Sequence, residues 1–311
     1  MKKTQKGYNP TQIIFSATSA CNLKCPHCFV NRNPTKLSID QALNFLENCV
    51  KTGGTTGANG NNLPVIEKIG FSGGEPFLYM DFLLALTKAS VSYDLLFDQI
   101  MTNGDWWQTE EDLHQKLQTL YDAGYDGKIG LSWDEYHGQQ PERMQSFIKS
   151  VQAIFGPDSI NIQTVEGESL PLARTSLLAT PSAGEAPATP PLPFPADVPV
   201  YTLPRTYPSD NPLAWKSRHW FREDYCQGPG NIFYVHANGN IAPCCGFANE
   251  NPALFIGTIS DSLETIMSKA SQNEMLKLCF TKGLSKYRRF KKFPGKTSDI
   301  CSFCDYVCRL K

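Results

Sequence analysis

The sequence predicts an α/β protein built on a parallel sheet, a partial (β/α)6 barrel with a small cysteine-rich C-terminal domain. Three observations carry that expectation. Short apolar runs of strand length alternate with segments of helical periodicity through the first half of the chain. Polar motifs recur just after those runs, at the strand ends where barrel-type sheets place their active sites. The eleven cysteines gather toward the two ends of the chain, with Cys49 alone between Cys28 and Cys226.

The elements follow in order. Residues 12–17 read as a short apolar strand, directly followed by Cys21-Asn22-Leu23-Lys24-Cys25-Pro26-His27-Cys28. Ser38 caps a helix with Ile39, Leu43, Leu46 and Val50 on one face, stopped by Gly53-Gly54. A polar excursion at 55–64 leads to a second strand at 65–71, ending in Ser72-Gly73-Gly74-Glu75-Pro76, and a helix at 80–90. The third strand, 95–101, ends in Thr102-Asn103-Gly104, and Thr109 caps the helix carrying Leu113, Leu117 and Leu120. The fourth strand, 128–132, runs into Trp133-Asp134-Glu135-Tyr136-His137 before a helix at 141–155, and 160–165 is a fifth strand. A short helix is expected at 171–178. Residues 180–197 are rich in Pro, Ala, Ser and Thr without periodicity and read as a flexible surface insertion. A sixth strand at 198–203 would complete a core domain over 1–210, with the cysteine-rich domain over 211–311.

In that second part, Asn238-Gly239 separates two alternating runs, 232–235 and 240–243, the signature of a hairpin with a type I′ turn. The hairpin brings Cys226 and Cys244 to one end. An amphipathic helix at 262–278 and a basic run at 286–292, read as a solvated helix end, precede a terminal CxxC loop at Cys301 and Cys304, then Cys308.

Size and charge narrow the function classes. A chain of 311 residues buries roughly 75% of its unfolded surface, so no staple is needed. With 29 basic and 30 acidic residues the net charge is −1, and no global field favours nucleic acid or an anionic membrane. Residues 1–11 are polar, and no apolar run reaches the ~18 residues of a membrane span. A soluble, cytoplasmic protein is expected. There, an odd number of cysteines points to metal or catalysis rather than a disulfide framework.

Three thiolates at CxxxCxxC spacing can bind three irons of a four-iron cubane and leave the fourth open for a small molecule. The plainer alternative is a zinc loop, which ordinarily comes as CxxC pairs. At the C-terminus, Cys226, Cys244, Cys301 and Cys304 suit a closed tetrathiolate site, for which spacing alone does not choose between zinc and a second cluster. Cys49 and Cys279 fall on predicted helix faces and read as core residues.

The triplet Cys21, Cys25 and Cys28, followed some 45 residues later by Gly73-Gly74-Glu75-Pro76, resembles the radical S-adenosylmethionine (SAM) superfamily. The resemblance implies that the three cysteines hold a [4Fe-4S] cluster whose open iron SAM chelates, and that residues 73–75 bind the methionine amino group. It implies an adenine contact for His27, where an aromatic residue is usual, and ribose or carboxylate contacts for Asn103 and Ser132. It also implies an electron donor such as flavodoxin or ferredoxin. Cys226, twelve residues, Gly239, four residues, Cys244 and a terminal CxxC resemble an abbreviated SPASM-type extension, implying one auxiliary [4Fe-4S] cluster on Cys226, Cys244, Cys301 and Cys304.

Within that superfamily the segment 133–137, Cys226-Gln227-Gly228-Pro229-Gly230 and the pair Cys244-Cys245 are most similar to peptide epimerases, which convert L- to D-residues in ribosomally made peptides. The implied role of Cys245 is hydrogen donor, with Cys308 its rival, and Asp134, Glu135 and His137 become candidate substrate contacts. The alternatives are a maturase of the same superfamily forming thioether or carbon–carbon cross-links, and a non-catalytic metal-binding regulator.

Overall fold

The structure, a computed structural model, describes residues 7–30, 33–58, 60–165, 194–203, 205–222, 226, 231–288 and 292–310. The expected helix at 171–178, most of the Pro-rich insertion, residues 227–230 and part of the basic run lie outside the described residues.

Alternation of apolar and small or polar residues sets the strands, and capping sets the helices. Strands β1 (Gln12–Ser16), β2 (Lys68–Ser72), β3 (Leu96–Thr102), β4 (Lys128–Ser132), β5 (Ile160–Val165) and β6 (Val200–Leu203) are parallel and pair in sequence order. Between them run α1 (Ile39–Thr52), α2 (Met80–Ser92), α3 (Glu110–Asp122) and α4 (Pro141–Phe155). The Ser38 and Thr109 side chains accept from Gln41 and Asp112 N–H, as their sequence positions predict. Right-handed crossovers between consecutive neighbours all step the same way, so α1–α4 cover one face of the sheet.

Ile13, Phe15, Ile69, Phe71, Ile129, Leu131 and Ile162 point into that helical layer and are at most 1% exposed. Their neighbours Gln12, Ile14, Ser16, Gly70, Ser72, Gly130, Ser132, Asn161 and Gln163 therefore share the opposite face. That face is polar and finely filled: Gln12 Nε2 reaches across β2, past Gly70, to Asp98 Oδ2 at 2.7 Å. The architecture is the expected partial (β/α)6 barrel. The buried side of α1 is centred on Ala42, Phe45, Leu46 and Cys49, while Ile39, Leu43 and Val50 flank it half-buried.

The cysteine-rich region continues the same sheet. Strand β7 (Ile232–Val235) lies parallel against β1, followed by antiparallel β8 (Asn240–Ala242) and β9 (Gly257–Thr258), giving the order β6-β5-β4-β3-β2-β1-β7-β8-β9. The hairpin turn is not type I′. Gly239 has φ +86°, whereas Asn238 is not among the described residues with positive φ. The Gly239 N–H donates to the His236 carbonyl and the His236 N–H to the Asn240 carbonyl, both at 2.8 Å. This is a three-residue loop ending in a left-handed glycine. Asn238 Oδ1 accepts from the Asn240 N–H at 3.1 Å, which gives Asn its place without a left-handed conformation.

The expected single helix at 262–278 is broken. Helix α5 (Leu263–Gln272) ends at Asn273, whose side chain accepts from Leu276 N–H and caps α6 (Glu274–Lys277). A π turn, Leu278–Lys282, and the one-turn α7 (Leu284–Tyr287) follow. The terminal CxxC is helix, not loop: Asp299 caps α8 (Ile300–Arg309) by accepting from Cys301 N–H at 2.8 Å. Spacings of three and four then put Cys301, Cys304 and Cys308 on one side of α8. Of the basic run, Arg288 donates to the Phe221 carbonyl and stacks over Trp220 and Phe221, so it is packed rather than merely solvated. Among the described residues no helix is long and apolar enough to cross a membrane.

Candidate active site and thiol pocket

The cysteine triplet occupies a loop closed at its neck. Ser19 N–H donates to the Thr35 carbonyl at 2.9 Å and Leu37 N–H to the Ala17 carbonyl at 3.0 Å, while Thr18 and Lys36 form an isolated bridge. The glycine pair after β2 packs on the same neck. Gly74 N–H donates to the Thr18 carbonyl at 2.6 Å and Glu75 N–H to the Ala20 carbonyl at 2.8 Å. A side chain would not fit there: a Cβ on Gly73, which has φ +146°, would lie 2.5 Å from the Thr18 oxygen, and one on Gly74 would lie 2.3 Å from the Ala20 oxygen. The two motifs, 45 residues apart in sequence, thus form one backbone unit.

Cys21 and Cys28 are exposed and Cys25 is 9% exposed. Cys21 Sγ accepts from Leu23 N–H at 3.4 Å and from Asn103 Nδ2 at 3.6 Å. Burial pushes the Cys21 thiol up, and these two donors oppose that. Donors aimed at sulfur and an open loop fit an iron–sulfur ligand set with room for a further molecule.

Glu75 is fully buried. Its Oε1 accepts from Phe77 N–H and Thr102 Oγ1, its Oε2 from Asn103 N–H, all within 2.8–3.1 Å. Burial pushes its carboxyl up to about 7, against those three donors. Both oxygens are engaged inside the protein, where they tie the end of β3 to the turn after β2. Asn103 Nδ2 also donates to Asn22 Oδ1 at 2.9 Å, so β3 holds the cysteine loop from a second side.

The end of β4 supplies a third side. Asp134 is 3% exposed; its Oδ1 accepts from Tyr136 and His137 N–H and lies 2.7 Å from His137 Nδ1. Burial alone would raise Asp134, but the His137 contact outweighs it and holds the carboxyl low. Burial likewise opposes the His137 charge, yet Asp134 and then Cys25 raise the imidazole to about 9. His27, pushed down by burial, has its ring 5.0 Å from His137 and 5.3 Å from Tyr136. Ligand atoms of His27, Asp134 and His137 fall within 4.8 Å of one another. Ser132 is half-buried, its carbonyl accepting from Gln139 Nε2 at 2.9 Å, and Glu135 is exposed. Gln139, which also donates to the Asn103 carbonyl, joins the ends of β3 and β4; no sequence pattern marked it.

The C-terminal cysteines form a different kind of place. A small, wholly apolar pocket, its cavity volume only about 20 Å³, is lined by Cys226, Cys244, Cys279, Cys301 and Cys304, with Pro243, Leu254 and Phe280 among its walls. Burial pushes the Cys244 and Cys301 thiols well up. Cys279, expected as core, is buried but belongs to this pocket, its Sγ 3.9 Å from Cys304 Sγ. Cys308 lies behind, hydrogen-bonded to Cys304. Cys49 is core, fully buried and pushed up to about 12.

The adjacent Cys245 leaves the pocket. Like Ile14 and Phe255, it packs against a buried cluster of Ile232, Tyr234 and Ala242. Ile14 lies on the sheet face opposite α1–α4, and the Tyr234 hydroxyl bonds to Ser16 and Ser72, the last residues of β1 and β2. The two side chains of the doubled cysteine therefore lie in different surroundings.

No family model matches the chain. The putative peptide biosynthesis protein YydG of Bacillus subtilis is 23% identical over 328 residues, 96% of this chain and 91% of the relative. The S-adenosylmethionine-dependent nucleotide dehydratase RSAD2 of Siniperca chuatsi is 30% identical over 116 residues, 34% of this chain and 29% of the relative. These relatives, with the cysteine loop and the glycine turn after β2, support a radical SAM enzyme. Radical SAM homologues imply SAM and a [4Fe-4S] cluster, and the loop of Cys21, Cys25 and Cys28 offers three thiols. Streptococcus suis SuiB bound to its precursor peptide SuiA superposes with a TM-score of 0.47 at 13% identity, covering 95% of this chain and 76% of that one.

Proposed function

We propose that this radical SAM enzyme is a peptide epimerase, converting an L- to a D-residue in a ribosomally made peptide, with Cys245 as hydrogen donor. The observation that carries the reading is the divergence of Cys244 and Cys245, one lining the thiol pocket and the other packed on the free face of the sheet beside Tyr234. A relative named for peptide biosynthesis, aligned over 96% of this chain, supports a peptide substrate.

Cys21, Cys25 and Cys28 hold the cluster, and the neck they share with residues 73–75 fixes the loop against β2. Bound there, cluster and SAM supply a 5′-deoxyadenosyl radical able to remove a Cα hydrogen. His27, Asn103 and Ser132 border the SAM site, and Asp134, Glu135 and His137 the substrate side. Cys245 gives its S–H hydrogen to the opposite face of the Cα radical, and its sulfur then regains one electron and one proton. The reductant is a flavodoxin- or ferredoxin-class partner. The apolar walls around Cys245 keep the thiol protonated: burial raises it to about 12, so the hydrogen is present at neutral pH. Cys226, Cys244, Cys301 and Cys304 would hold an auxiliary cluster. The core spans 1–210 and the auxiliary region 211–311.

Co-expression with a short peptide encoded beside the gene, in D2O, tests the proposal. Epimerisation leaves one deuterium at one Cα and no other mass change. Loss of two hydrogens would instead establish a cross-linking maturase and reject the epimerase reading.

A further inference from the structure

We infer that the fourth position of the auxiliary cluster is shared by two thiols, Cys279 and Cys304, either of which completes the ligand set of Cys226, Cys244 and Cys301. The inference rests on the auxiliary-cluster part of the proposed function.

Five thiols line one pocket and a cubane takes four. Cys279 and Cys304 are in contact, with sulfurs 3.9 Å apart. Ligands on different corners of a cubane diverge from one another, so two touching thiols compete for a single iron. Neither is favoured by its chain segment. Cys304 shares α8 with Cys301 one turn away. Cys279 is brought in by the π turn Leu278–Lys282, a widened helical turn of the kind that commonly serves functional sites. It is fixed there because Cys226 N–H donates to its carbonyl at 3.2 Å, holding a ligand segment and the Cys279 segment together. The remaining lining residues offer no competing polar side chain, so a metal in this pocket depends on thiolates alone. Cys308 is a packed thiol behind Cys304.

The test uses the full chain with Cys21, Cys25 and Cys28 replaced by alanine, so that any cluster present belongs to the pocket. Iron, acid-labile sulfide, zinc and the EPR spectrum of the reduced protein are measured after anaerobic reconstitution. Cys279→Ala and Cys304→Ala should each retain four irons per chain with a shifted EPR spectrum in at least one, and the double variant should lose them. Cys304→Ala/Cys308→Ala should retain iron through Cys279, which separates loss of a ligand from loss of the α8 packing. Iron lost from either single variant, or kept in the Cys279→Ala/Cys304→Ala protein, would overturn the shared position. Zinc without sulfide, or no metal before any C-terminal cysteine is changed, would overturn the auxiliary cluster itself and this inference with it.

Discussion

The two cysteine sites are built on opposite physical plans. The N-terminal triplet comes from eight consecutive residues, stands partly in solvent and is positioned by hydrogen bonds to its neck, to Asn103 and through Glu75. The C-terminal pocket is assembled from four separated stretches of chain, is wholly apolar and holds its thiols by packing. An open loop of thiolates leaves an iron free for a small molecule, whereas a closed thiol pocket leaves nothing free. The pair Cys244-Cys245 joins the two plans, because one thiol is committed to the pocket and the next is not.

The largest expected effect separates the sites outright. Replacing Cys21, Cys25 and Cys28 with alanine should abolish 5′-deoxyadenosine formation while leaving the pocket's iron in place. Coincident loss of both would show that the sites are not independent. A smaller effect compares backbone with side-chain anchoring. Gly74→Ala drives a Cβ into the Ala20 backbone and should cost about 3 kcal/mol and much of the triplet's iron, because neither strand end can yield. In the metal-free protein Gly246→Ala meets the Cys301 sulfur at 3.0 Å, a side chain that can turn away, and should cost about 1 kcal/mol or less. Thermal melts rank the two, and the reverse order would contradict the anchoring account.

The third effect is a pH dependence and concerns Glu75. Its folded pKa is raised to about 7 from an unfolded value of 4.5, so its contribution is fully present below 4.5 and is lost as pH rises through 7. Denaturant melts should show wild type losing stability relative to Glu75→Gln between pH 4.5 and 8, by up to about 3 kcal/mol. A pH-independent difference would mean that the three donors cancel the burial cost.

Local patterns were legible in the sequence and assembled ones were not. Strands β4 and β5 and helix α4 were readable to the residue, because alternation and Pro141 fix them locally. The two motifs of the N-terminal site were readable as well. Their contact was not, since it runs through backbone bonds between residues 18–20 and 74–75. Cys279 looked like one more apolar helix position, and only the break at Asn273 and the π turn after it carry the thiol into the pocket. Gln139 bridges carbonyls of two strands, a role that leaves no mark in sequence spacing. The CxxC reads equally as loop or helix until Asp299 caps it.

The central claim is that Cys245 returns the hydrogen. Cys245→Ala, assayed with reductant, SAM and the peptide in D2O, should still form 5′-deoxyadenosine but incorporate no deuterium at Cα and yield no D-residue. Continued formation of the deuterated D-residue would contradict the account.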